Sequence, residues 1–194
     1  MNLIAAPPER IDLDEMTYLR WLTVSDAEAV ARAVGESLDH LKPWMPWADA
    51  TSADVTFQRN RLRQQAQQRE RTEEWQYGLF GVADEALLGS FGLMTRRGPG
   101  TLEIGYWLHV DAGGHGYATA AARALTDTGQ SVRSIKQTVI VCDEANLRSA
   151  AIPKRLGYAL ARVEARTPEA PGESGRMQIW TSDKKKRKAP TATR

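Results

Sequence analysis

The sequence predicts a mixed α/β fold, one domain whose sheet begins as an antiparallel meander and then gains parallel pairing. Three observations carry this expectation. Strand-like runs at residues 75–82, 87–95 and 101–110 follow one another with only short turns between them. Further on, strand-like and helix-like segments alternate, which puts a crossover between parallel neighbours. Between these two halves stands a glycine-rich stretch, residues 111–116, at the junction of a strand and an Ala-rich helix.

The elements follow in order. Residues 16–21 have strand character and lead into Ser25-Asp-Ala-Glu28, whose spacing is that of a capping box opening a helix. Val30, Val34, Leu38 and Leu41 recur at helical spacing until Pro43 ends the run. A second helix is expected over residues 52–69, with Val55, Leu62 and Ala66 on one face and a Gln/Arg-rich face opposite. Ala83, Asp84 and Glu85 make a hairpin-length connection, and residues 96–100, with two glycines and Pro99, make the next turn. After the glycine stretch come a helix at 116–130, a strand at 137–142, a short helix at 146–155 and strands at 158–166 and 176–181. Residues 167–175 read as a polar loop.

Composition narrows the function classes. With 42% hydrophobic residues in 194, the chain can bury a real core. Cys142 is its single cysteine, so no internal disulfide forms, which fits a reducing cytoplasm. No signal peptide and no membrane-length apolar run is visible. The formal charge of +2 is misleading, because six positive charges sit in residues 184–194, leaving −4 on residues 1–183. The domain is thus expected over residues 1–183, followed by a basic, disordered tail at 184–194. A nucleic-acid face on the body is not indicated, while the tail suggests weak contact with an RNA-rich partner such as a ribosome.

Gly113, Gly114 and Gly116 precede a helix start, where orphan amides at the positive end of a helix dipole can cradle phosphate. The stretch is neither a P-loop, because Tyr117 and Ala118 follow Gly116, nor a dinucleotide fingerprint, because Thr119 stands where Gly or Ala is needed.

Leu102-Glu-Ile-Gly-Tyr-Trp-Leu-His109, Gly114-His-Gly-Tyr-Ala-Thr119, Asn146-Leu-Arg-Ser149 and Leu156-Gly-Tyr158 occur in this order, and together they resemble GNAT N-acetyltransferases. The resemblance covers about residues 16–180 and is to the RimJ/RimL type, which acetylates ribosomal-protein N-termini. It implies a GNAT fold with a splayed central strand pair and acetyl-CoA as cosubstrate. The pantetheine arm would lie as a pseudo-strand near Leu108 and Val110. The pyrophosphate would lie on the backbone of Gly113, Gly114, His115, Gly116, Tyr117 and Ala118. Asn146 and Ser149 would complete the cofactor site. Two positions depart from the family pattern: Gly113 stands where Arg or Gln is usual, and Pro153 where many members carry a tyrosine acid. The resemblance therefore makes Ser149 the candidate that assists thiolate departure.

Single residues keep two readings each. Ser149 is either a first-turn residue behind an Asn146 cap or the thiolate's donor. Glu103, with Gly105, Trp107 and His109, lies on the opposite strand face from Leu102, Ile104, Tyr106 and Leu108. Its carboxylate either orients or deprotonates an amine, or is simply solvated. Trp44 and Trp47, stiffened by Pro43 and Pro46, are either core or, with Trp107, an acceptor-site wall. By the resemblance, His115 stands at an outward position of the loop; His109 is a secondary base candidate, and Cys142 reads as a small core residue. No metal-ligand set is expected.

Transfer by direct attack makes the acceptor's basicity decisive. An α-amine with pKa ~7.8 costs about 1 kcal/mol to deprotonate at pH 7, against about 4.6 for a lysine at ~10.4. A site without a strong base suits the α-amine. Three functions stay open: N-terminal acetylation of a protein, acetylation of a small amine such as an antibiotic or aminoacyl-nucleotide, and non-catalytic acyl-CoA sensing. A cytoplasmic monomer or homodimer is expected.

Overall fold

The computed structural model describes residues 6–83 and 85–183, so the tail expectation at 184–194 lies outside the described residues. Eight strands form one sheet in the order β1-β2-β3-β4-β5-β6-β8-β7. They are β1 (Arg10–Asp12), β2 (Thr17–Trp21), β3 (Glu74–Gly81), β4 (Leu87–Met94), β5 (Thr101–Leu108), β6 (Gln137–Asp143), β7 (Ala159–Ala165) and β8 (Arg176–Asp183). The helices are α1 (Ala27–Glu36), α2 (Leu38–Leu41), α3 (Val55–Glu70), α4 (Tyr117–Ser131) and α5 (Leu147–Arg155). The predicted meander is β3–β4–β5, and the one parallel pairing joins β5 to β6 across α4.

Strand alternation divides the core in two. Leu102 and Ile104 of β5 face Ala121 and Leu125 of α4 and Ala150 of α5. Trp107, on the other face, joins Val30 and Val34 of α1, Leu62 of α3 and Phe80 of β3. Burying a leucine such as Leu125 contributes about 2 kcal/mol, so these two layers fix the orientation of β5. On the α4 side, the buried Tyr158 hydroxyl bonds Thr126 Oγ1 at 2.7 Å and Thr138 Oγ1 at 2.8 Å, tying α4 to β6.

Several predicted boundaries move: the helix expected from residue 52 starts at Val55, behind an Asp54 cap on the Phe57 amide, and the strand expected to residue 110 ends at Leu108. The box at the first helix is set two residues earlier, because Asp26 accepts from the Thr23 amide at 2.7 Å and is also held by the Arg20 guanidinium. The long helix expected up to Pro43 breaks after Glu36. The wholly buried Ser37 interrupts it, and its Oγ accepts from the Val110 amide at 3.0 Å. The end of α1 is thereby pinned to the approach of the glycine stretch.

Candidate active site

Parallel pairing of β5 with β6 stops at Ile104↔Ile140, although β5 continues to Leu108 against β4 and β6 continues to Asp143 against β8. The two central strands therefore splay. His109 donates its amide to Leu88 O on the β4 side, so the backbone groups of Tyr106 and Leu108 turn to the opposite edge and face the gap. A cavity of about 590 Å³ opens there.

Trp44, Trp47, Glu103, Trp107, Asn146 and Ser149 all line this cavity, so the structure brings the predicted acceptor and thiolate residues together. Leu108, the last residue of β5, and the glycine stretch that follows it are not among its walls.

Glu103 is only 3% exposed, and both its oxygens are taken: Arg96 Nη2 donates to one and Arg97 Nε, at 2.5 Å, to the other. Burial alone would raise its pKa, but the two arginines outweigh burial and hold it below the ordinary carboxylate value. This is a fixed negative charge and a weak base. Trp47 meets Trp107 edge-on with centroids 6.2 Å apart, while the Arg61 guanidinium covers the Trp47 ring at 5.1 Å.

At the β6 side, Asn146 caps α5 by accepting from the Ser149 amide at 3.0 Å. Pro153 lies inside α5 and has no N–H to give the Ser149 carbonyl one turn back. The Tyr106 hydroxyl takes that place, donating to Ser149 O at 3.3 Å and lying 3.3 Å from Ser149 Oγ. Burial pushes the Tyr106 pKa far up, so its hydroxyl keeps its proton. Cys142, beside them, is pushed up to about 11, chiefly by burial, and is a thiol at neutral pH. Tyr106 was missed as a site residue; the signal in the sequence was Pro153, which orphans a carbonyl within its reach.

The glycine stretch has a different character. None of the backbone amides of residues 113–118 meets an acceptor among the described residues. Gly116, the residue before α4, sits at φ +83 and has open space where a Cβ would be. The Val110 amide is used by Ser37, and its side chain is exposed. His115 stacks on Tyr117 at 5.5 Å on the surface, and His109 pairs with Glu36 at 2.9 Å, away from the cavity walls.

Among known proteins, the acetyltransferase (GNAT) domain family matches residues 17–159. The Bacillus subtilis protein "Probable N-acetyltransferase YjcK" is 30% identical over 112 residues, which are 57% of this chain and 62% of that protein. Two crystal structures share the fold. The ribosomal-protein-S5-alanine acetyltransferase of Vibrio fischeri superposes with TM-score 0.81 at 17% identity, covering 91% of this chain and 97% of that one. The microcin C7 self-immunity acetyltransferase MccE, bound to acetyl-CoA and AMP, gives 0.81 at 21%, covering 92% and 98%. No helix among the described residues is long and apolar enough to cross a membrane. With three quarters of its length matched, the chain belongs to the GNAT acetyltransferases, acyltransferases that use acetyl-CoA.

Proposed function

We propose that the protein acetylates the α-amino group of a protein N-terminus, with the reaction at the splay between β5 and β6. The observation that carries this is the absence of a strong base. No histidine among the described residues lines the cavity, and two of its buried carboxylates, Glu103 and Asp143, are held below their ordinary pKa. Such a site suits an amine already partly neutral near pH 7, which an α-amine is and a lysine is not. The structural kinship with an acetyltransferase of a ribosomal-protein alanine supports the same class of acceptor.

The residues of the glycine stretch fit acetyl-CoA, since six successive amides that meet no acceptor among the described residues, before a 15-residue helix, suit a pyrophosphate. When bound, acetyl-CoA supplies the acetyl group as an activated thioester. The amides of Tyr106 and Leu108, turned to the gap, provide donors for a carbonyl oxygen that gains negative charge. Ser149 Oγ holds a proton beside the gap, and Tyr106 orients it. Glu103, its charge engaged by Arg96 and Arg97, serves to orient the amine rather than to deprotonate it, and the attacking species is the amine's neutral fraction. Trp44 and Trp47 wall the acceptor entrance. The reading places the enzyme in the cytoplasm, where its thiol Cys142 stays reduced.

The test is competition between a peptide with a free N-terminus and the same peptide N-terminally blocked but carrying lysine. Mass spectrometry is expected to find acetylation on the α-amine, with at least ~100-fold higher kcat/KM. Acetylation mainly on lysine would sink the reading, and turnover confined to aminoacyl-nucleotides or amine antibiotics would move it to small molecules.

A further inference from the structure

Four arginines line the cavity, and three already have carboxylate partners: Arg96 and Arg97 on Glu103, and Arg166 on Glu173 at 2.5 Å. The fourth, Arg61 of α3, makes no hydrogen bond or ion pair with any described residue. Its guanidinium lies against the Trp47 ring, half-buried. Burial works against its charge, opposed only by the field of Glu74, whose carboxylate accepts from Gln76 Nε2 at 2.5 Å. One turn along the same face of α3, Gln65 also lines the cavity, and its Oε1 is buried without a donor.

A guanidinium withdrawn from water is costly unless an anion completes it. Cation–π attraction to Trp47 at 5.1 Å holds the guanidinium without using its N–H groups, which can still grip a two-oxygen anion bidentately. Gln65 Oε1 adds an acceptor for an N–H on the same ligand. Resting on the acetyltransferase reading, we infer that Arg61 is a specificity-determining residue that reads an oxyanion on the acceptor, with Gln65 accepting a neighbouring N–H. The oxyanion can be an Asp or Glu carboxylate close behind a peptide N-terminus or the phosphate of an amine-bearing nucleotide.

The experiment measures kcat/KM for free-N-terminus peptides that differ only by Glu or Gln at their second or third position. A second arm compares an aminoacylated nucleoside monophosphate with the unphosphorylated aminoacyl-nucleoside. Wild type is expected to favour the anionic member of at least one arm tenfold or more. Arg61→Gln is expected to bring that ratio within about twofold, and Arg61→Lys, which keeps the charge but not the fork, to leave it intermediate. The arm that shows the ratio identifies the source of the oxyanion. Calorimetric binding of the N-acetylated product peptides to the CoA complex reads the same preference without turnover, so a failed acceptor assay does not hide it. Equal treatment of anionic and neutral members in both arms, or a preference that survives in folded Arg61→Gln, overturns the inference. Acetylation of lysine with the Arg61-dependent preference intact would overturn the α-amine reading alone.

Discussion

Two loops of this molecule gather backbone amides, and they end in opposite states. At the end of β6, the Asp143 carboxylate accepts from the amides of Ala145 (2.9 Å), Ser174 (3.0 Å) and Gly175 (3.0 Å) and from Ser174 Oγ (2.8 Å). At the end of β5, the amides of residues 113–118 meet no acceptor among the described residues. Both segments are polar, glycine-containing connections between regular elements, so composition alone does not separate them. What separates them is whether the chain brings its own anion. Around Asp143 the donors are saturated and the loop serves the fold. Before α4 they are left to an external anion, and that is what makes the segment a site.

Removing the internal anion should give the largest effect. Asp143→Ala removes a buried carboxylate that accepts four hydrogen bonds, leaving the buried Gly175 amide and the more exposed Ala145 and Ser174 donors without it, and should cost roughly 3 kcal/mol of stability. The charge has its own signature. Burial raises the Asp143 pKa, but the surrounding amides and the Ser174 hydroxyl outweigh it and set the folded value below 3.8. A depressed folded pKa gives stability that is complete above the unfolded value and lost as pH falls through the folded one. Urea midpoints of wild type and Asp143→Asn should therefore differ most at neutral pH and converge below about pH 4, the ordinary aspartate range. A difference constant with pH would mean that hydrogen-bond geometry, and not charge, holds the loop.

The converse change installs an anion where the chain has none. Gly116→Asp places a carboxylate among the unpaired amides and should weaken acetyl-CoA binding about 100-fold, or roughly 2.7 kcal/mol. The left-handed backbone at residue 116 strains any side chain, but Asp and Asn tolerate it best. Gly116→Asn thus controls for strain and should bind at least tenfold more tightly than Gly116→Asp by calorimetry. Equal affinities for the two variants would show that sterics, rather than an occupied anion cradle, account for the loss.

Where the sequence was legible, short-range periodicity governed. The β3–β4–β5 meander, the Ala-rich α4 and the Asn146 cap on Ser149 each follow from patterns within a few residues. The alternation along β5 likewise put Glu103 and Trp107 on one face and Tyr106 on the other. What escaped depends on partners far along the chain. Strand β1 has three residues and no period of its own; it exists because Ile11 packs on the core and Arg10 covers Tyr18 at 3.7 Å. The capping box near residue 25 forms from Thr23 and Asp26 instead of Ser25 and Glu28, where Arg20 binds the Asp26 carboxylate. Arg61 sits in the Gln/Arg-rich face of α3, and only the packing of α3 on β3, beside the cavity, turns it inward.

Between the saturated and the empty donor clusters lies a third case, Ser149 with Tyr106, whose hydroxyls meet at 3.3 Å, longer than a firm hydroxyl pair. Such donors are partly engaged and can turn to a new partner at low cost. Ser149→Ala removes the hydroxyl but keeps the Asn146 cap, because that cap rests on the Ser149 amide. It should leave stability within about 0.5 kcal/mol and acetyl-CoA affinity unchanged, while lowering kcat about tenfold, the pattern of an interaction made only in the transition state. Tyr106→Phe is a different lesion. It deprives Ser149 O of the donor that Pro153 cannot supply, at about 1 kcal/mol of stability, and it also frees Ser149 Oγ to rotate. If the tyrosine acts through the serine, the double variant should lose no more kcat than Ser149→Ala alone. Additive losses would give Tyr106 a donor role of its own. An unchanged kcat in Ser149→Ala would place the pair with Asp143, among donors that serve only the fold.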